Sequence, residues 1–237
     1  MDIREILICE DLGKIRIIDS QELDDVCFSD EIYTFKKKTL RNIGLLHFSI
    51  LSFKLDSIET LLTKGINANK YCDGWTPLHL ASFLGYSEIV DLLLFHEADP
   101  HLLDKYKMSA ISIAINEGFI DVVDSLLVCR YEPSELSLPL QIAIQAGKPL
   151  IVEKLLQSGA DPELPSINGK TPISFIDEEK QKDILDLISS FKKVEYQNRL
   201  QCFDGSIKSL SQMMIQIPIR YNHKETEIVK YSVKMNK

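Results

Sequence analysis

The stretch "DGWTPLHLASFLGYSEIVDLLLFHEADP" (residues 73–100) recurs along the chain, and this recurrence restricts the fold more than any other feature. Displaced by 33 residues, Thr76–Ala81 meets "SAISIA" (109–114), Gly85 meets Gly118, and "EIVDLLL" meets "DVVDSLL" (121–127). At 62, Pro77 meets Pro139, Gly85 meets Gly147, and "EADP" meets "GADP" (159–162). At 95, "DGWTPL" meets "NGKTPI" (168–173) and "EIVDLL" meets "DILDLI" (183–188). At −32, "HL" meets "HF" (47–48), with "DSIETLL" (56–62) as a looser copy of the second half. A chain with this period stacks one supersecondary unit several times and does not close around one central core.

Within a unit the residue types dictate two short helices. Leu78, Leu80 and Ala81 form one apolar stripe, and Ile89, Val90, Leu92, Leu93 and Leu94 form another at gaps dominated by three and four. Thr76 is placed to cap the first helix, with Pro77 at a position where no amide bond is lost. Gly85 ends it. Helices this short are marginal alone, so neighbouring units must cover their faces.

"DGWTPLHLASFLGYSEIVDLLL" and "SGADPELPSINGKTPI" resemble the hallmark segments of the ankyrin repeat, over residues about 40–193. The resemblance implies a mainly α solenoid of about five helix-pair units, linked by β-hairpin fingers near 67–75, 100–108, 133–138 and 162–170. The spacing from Ala110 to Pro139 is 29 against 33 elsewhere, so the third finger is expected to be trimmed by four residues, leaving a notch. It also implies that His47 and His79, in the TPLH slot, hydrogen-bond neighbouring units.

Both ends depart from the pattern. Residues 1–38 are assigned to an N-terminal cap, a degraded repeat around Gly13, with an irregular acidic linker "DSQELDDVCFSDE" (19–31). The repeat domain is placed at 39–193, and its last unit, "FIDEEKQKDILDLISSFKK", carries the charges that a terminal repeat needs on its uncovered face. In 194–237, "QMMIQIPIRY" and "TEIVKYSVK" alternate apolar and polar positions around "NHKE", which predicts a small C-terminal β-hairpin with an exposed edge at Pro218. Such a hairpin is marginal alone and offers a route to self-association by edge pairing.

The chemistry of catalysis is not apparent. There is no G-x-S-x-G, Walker loop or GxGxxG. His96, His101 and His223 lack partners at metal-ligand spacing, so no metal and no cofactor is expected. Cys9, Cys27, Cys72, Cys129 and Cys202 are scattered and odd in number, as for reduced thiols in a cytosol-like compartment. A net charge of −8 disfavours nucleic acid and suits a basic protein partner. The opening "MDIREILICEDLG" lacks the positive charge of a secretory leader, and "IGLLHFSILSF" (43–53) falls short of the roughly 18 residues that span a bilayer. The reading is a non-enzymatic, cytoplasmic binding module.

In ankyrin proteins ligands usually contact the fingers and the inner-helix face. The resemblance carries that role to the slot after "DG", which holds Ile43, Trp75, Met108, Ser137 and Lys170, and to the two slots before the helix-ending glycine. The latter hold Leu51 and Ser52, Phe83 and Leu84, Asn116 and Glu117, Gln145 and Ala146, and Glu178 and Glu179. This predicted surface grades from apolar to acidic. Trp75, Phe83, Leu84 and Met108 are expected either to meet the partner or to be covered by the N-terminal segment or the tail. Two functions fit: an acidic inhibitor or immunity-type protein that occludes a basic enzyme or toxin, or a secreted pathogen effector that mimics host ankyrin proteins and works in the host cytosol.

Overall fold

The computed structural model describes residues 27–35 and 38–204. The chain divides into two units, Met1–Ser189 and Ser190–Lys237. The degraded repeat near Gly13 and the C-terminal hairpin both lie outside the described residues.

Among the described residues, the first unit begins with an antiparallel pair, β1 (Cys27–Phe35) and β2 (Lys38–Gly44). Helix pairs follow: α1 (Leu45–Leu51) with α2 (Leu55–Thr63), α3 (Pro77–Leu84) with α4 (Ser87–Phe95), α5 (Ala110–Glu117) with α6 (Ile120–Leu127), and α7 (Pro133–Gln145) with α8 (Pro149–Gln157). In the fifth unit the first helix shrinks to a 3-10 turn, Pro172–Phe175, before α9 (Lys182–Asp204).

The periodic residues form continuous buried columns. Ala81, Ala114 and Ala143 line the inner helices, and Val90, Val123 and Val152 with Leu93, Leu126 and Leu155 line the outer ones. The aliphatic side chains in these columns each contribute roughly 1.5–3 kcal/mol relative to exposure, which is what holds helices of eight or nine residues. Thr76 caps α3 as expected: its Oγ1 accepts from the His79 amide, and His79 Nδ1 accepts from the Thr76 amide at 3.2 Å. Gly85 ends α3 at φ 83°, and a Cβ there would lie 2.6 Å from the Phe119 ring of the next unit, so both conformation and space demand glycine. In the last unit Ile184 and Ile188 are buried while Glu178, Glu179, Lys180, Lys182, Asp183 and Asp186 are exposed.

Two expectations are corrected. Residues 27–31, read as part of an irregular linker, belong to strand β1, and the register irregularity between Phe28 and Ile32 spans the acidic pair Asp30–Glu31. Charge at a bulge masks the alternation that reveals a strand. More consequentially, no third finger exists. Residues 133–138 are helical, because Pro133 starts α7 and Pro139, the counterpart of the helix-opening Pro77, sits inside it. The four missing residues therefore do not merely shorten a hairpin; they convert it into extra turns of inner helix.

Candidate protein-binding surface

The fingers are fixed to one another by a repeated bond from the histidine slot. His47 Nε2 lies 3.0 Å from the Trp75 carbonyl, and His79 Nε2 lies 3.1 Å from that of Met108. His79 Nδ1 accepts from Thr76, so Nε2 carries the proton and donates. Burial is the chief force lowering both imidazole pKa values, that of His47 to about 4, so both are neutral at pH 7. In the fourth unit Gln141 fills this slot, and its Oε1 accepts from Ser166 Oγ and Asn168 Nδ2 of the last finger. In the third unit, whose following finger is missing, the slot holds Ser112, which bonds only back to Ser109, 2.9 Å away. The reach of the side chain matches the presence of a finger to be reached.

Fingers one (66–75) and two (98–109) are also zipped along their length. Asp73 accepts from the Arg41 amide at 3.3 Å and from Lys105 Nζ at 3.1 Å, and Tyr71 Oη donates to the Leu103 carbonyl at 2.9 Å. Beyond finger two the pattern stops. The first turn of α7 presents Pro133, Ser134 and Glu135 to solvent, and His101 Nδ1 meets Glu135 Oε1 at 2.8 Å. Ser137, in the slot that holds Trp75 two units earlier, is buried and donates to the Leu164 carbonyl at 2.8 Å.

The nominated residues divide by burial. Trp75 is 1% exposed and Phe83 2%, their rings meeting edge-on at 5.1 Å, and Ile43 is fully buried in β2. These three are core, so of the two alternatives for the aromatic residues, exposure to a partner does not hold for Trp75 and Phe83: a tryptophan whose carbonyl is held by His47 and whose ring packs on Phe83 has no open face. Leu51, Leu84, Met108 and Glu117 are half-buried, whereas Asn116, Glu178 and Glu179 are exposed. Asn116 Nδ2 donates to Glu117 Oε1 at 3.3 Å. Asp177, at the start of the 177–180 turn, has its carboxyl pKa lowered by its bond from Lys180. The slot rule overlooked exposed apolar side chains on the fingers themselves: Tyr106, 65% exposed, with Tyr71, Leu103 and Ile167. Their signal was available, since a large apolar residue in a turn between polar neighbours has no core to enter.

Among the described residues no group of three or more His, Cys, Asp or Glu side chains is placed to hold a metal, and no helix is long and apolar enough to cross a membrane. The model for ankyrin repeats (three copies) matches residues 31–104 and 83–166, more than half of the chain. The chain belongs to the ankyrin repeat family. Human palmitoyltransferase ZDHHC13 is 24% identical over 203 residues, covering 68% of this chain and 33% of that protein. A putative E3 ubiquitin-protein ligase, XBAT34 of Arabidopsis thaliana, is 42% identical over 74 residues, covering 30% and 20%. The putative ankyrin repeat protein FPV244 of fowlpox virus is 29% identical over 116 residues, covering 48% and 17%. The chain thus spans a third or less of the curated relatives it matches. Ankyrin repeats are protein–protein interaction modules and are generally non-catalytic, and this chain carries such a module.

Proposed function

We propose that the module grips a basic protein on its finger and inner-helix face, and acts by occluding that partner. The observation that carries this reading is the exposure of the predicted strip in its acidic half. Asn116, Glu178 and Glu179 point to solvent, Glu117 is half-open, and the chain's net charge is −8. Leu84 and Met108 add half-buried apolar contact at the other end of the strip. Acidic strips raise association rates with basic partners and make binding sensitive to salt. Residues 39–193 are the part proposed to bind.

Relatives named for different activities, palmitoyl transfer and ubiquitin ligation, share only stretches of this chain's length, which supports recognition as the common element. The similarity to a fowlpox virus protein favours a second reading, in which the module is delivered into a host cell and displaces host ankyrin proteins from their partners.

Affinity capture with the wild type and with an E117K/E178K/E179K variant, each followed by a salt titration, tests the first reading. The expected result is a basic partner released by salt and lost from the variant. A partner retained equally by both proteins and insensitive to salt would overturn it.

A further inference from the structure

The inner helices α1, α3, α5 and α7 each end through a left-handed residue, and three of the four supply glycine there: Gly85 at φ 83°, Gly118 at 90° and Gly147 at 61°. Unit one supplies Phe53 instead, at φ 52°. A bulky residue is an outlier in that conformation, because its Cβ crowds the backbone. Phe53 is nevertheless 46% exposed, so its burial offsets little of the strain. Strain kept at an exposed aromatic side chain points to use of that side chain outside the fold.

Phe53 begins a row. Its ring meets Tyr86 of unit two edge-on at 4.7 Å, and the Phe119 ring of unit three lies over Gly85, 2.6 Å from where a Cβ would stand. Ile120, next to Phe119, is 41% exposed, and Leu150 in unit four is 61% exposed. These side chains line the turns between inner and outer helices, at the opposite end of the helices from the fingers. A carboxylate accompanies them in the first turn of each outer helix: Asp56, Glu88 and Asp121, all exposed. Among the described residues no lysine, arginine or histidine forms an ion pair with these three. Each outweighs the roughly half positive charge of its helix start, so the turn edge is negative over units one to three. The pattern ends at unit four. There Leu150 takes the carboxylate position, and Lys148, its Nζ 2.9 Å from the Ile115 carbonyl, takes the position of Tyr86 and Phe119.

We propose that this turn edge binds a basic amphipathic α-helix of a partner protein. Its apolar side sits on Phe53, Tyr86 and Ile120, with lysines or arginines beside Asp56, Glu88 and Asp121. The spacing of the units selects a helix. Packed neighbouring helices lie about 8–10 Å apart, and residues seven apart on an α-helix stand about 10.5 Å apart on one face. A strand offers same-face residues at about 6.7 or 13.4 Å, out of step with the units. This surface goes beyond the finger-face reading and does not depend on it.

The probe is a helical peptide of about 18 residues, with leucine at every seventh position and lysine three and four residues after each leucine. It is titrated into the isotope-labelled full chain by NMR. Saturable shifts are expected at the Phe53, Glu88 and Asp121 amides and not at Tyr71 or Tyr106 on the fingers. Phe53→Gly should weaken binding about tenfold, as for loss of an aromatic anchor. The same change should leave the melting temperature unchanged or higher, because it relieves the left-handed backbone. D56K/E88K/D121K should lose the lysine peptide and bind its glutamate counterpart. Absent shifts, equal binding of a peptide with a central proline, equal binding of the glutamate peptide by the wild type, or a Phe53→Gly variant that binds as well or melts lower overturns the proposal. Capture lost in E117K/E178K/E179K with no peptide bound overturns this surface alone. Peptide binding with capture unchanged by that variant overturns the finger-face reading alone.

Discussion

Units one and two differ from unit three in how each is tied to the next. In the first pair a histidine crosses to the following finger, an aspartate collects two bonds from its neighbours, and a tryptophan fills the finger base. At the third unit the crossing residue shortens to Ser112, the finger gives way to helix, and the finger-base slot shrinks to Ser137, whereas in the fourth Gln141 again reaches the last finger. The same backbone period is thus stabilised by long polar links on one side and by added helix on the other. A repeat array tolerates the loss of a finger when the histidine slot and the finger-base slot change with it.

The finger-base slot offers the sharpest contrast. Trp75→Ala should cost about 3–5 kcal/mol in a urea melt, as for other buried aromatic truncations, whereas Ser137→Ala should cost about 1 kcal/mol through the Leu164 bond. Similar losses at both positions would erase the proposed difference between these units. The histidine slot comes next. His79→Ala removes one of two donors to the Met108 carbonyl, which keeps the Asp104 amide, and the acceptor of the Thr76 amide, at about 1–3 kcal/mol together, against under about 1 kcal/mol for Ser112→Ala, since Ser112 serves only its own helix.

Acid separates the units again. His47 and His79 have folded pKa values below the unfolded value, so their stabilising effect is complete above about pH 6.5. For His47 it is lost as pH falls from there toward about 4, because only the unfolded chain gains the protons, and His79 acts in the same direction. His47 removes roughly 1.4 kcal/mol per pH unit in that window. The melting temperature of the wild type should therefore fall between pH 7 and pH 5, and less so in a His47→Gln variant. An equal fall would remove His47 as the cause. The smallest effect concerns self-association: light scattering of the full chain and of residues 1–194 should differ only if the C-terminal segment pairs between copies.

The sequence carried the period, the caps and the unit boundaries, because each rests on local chemistry: Thr76 before Pro77, Gly85 after Leu84, apolar gaps of three and four. It also carried the shortfall before Pro139, but a count of residues does not say whether a shortened loop stays a hairpin or joins the helix behind it. That choice lies with Pro133 and Glu135, whose side chain accepts from the Glu132 amide and so secures a helix start six residues ahead of the family position. Trp75 was misplaced for a related reason. Its slot is defined by where the backbone points, and burial depends on whether Phe83 and the surrounding units close over the ring. Strand β1 was hidden because Asp30 and Glu31 fall at its irregular register.

The account turns most on residues 133–138. Cα chemical shifts of the assigned full-length chain measure their backbone conformation directly. Helical values should continue unbroken from Pro133 to Gln145, flanked by extended values at Lys170 and Trp75 in the surviving fingers. Extended or turn values over 133–138 would restore a third finger and contradict the division between unit three and the two before it.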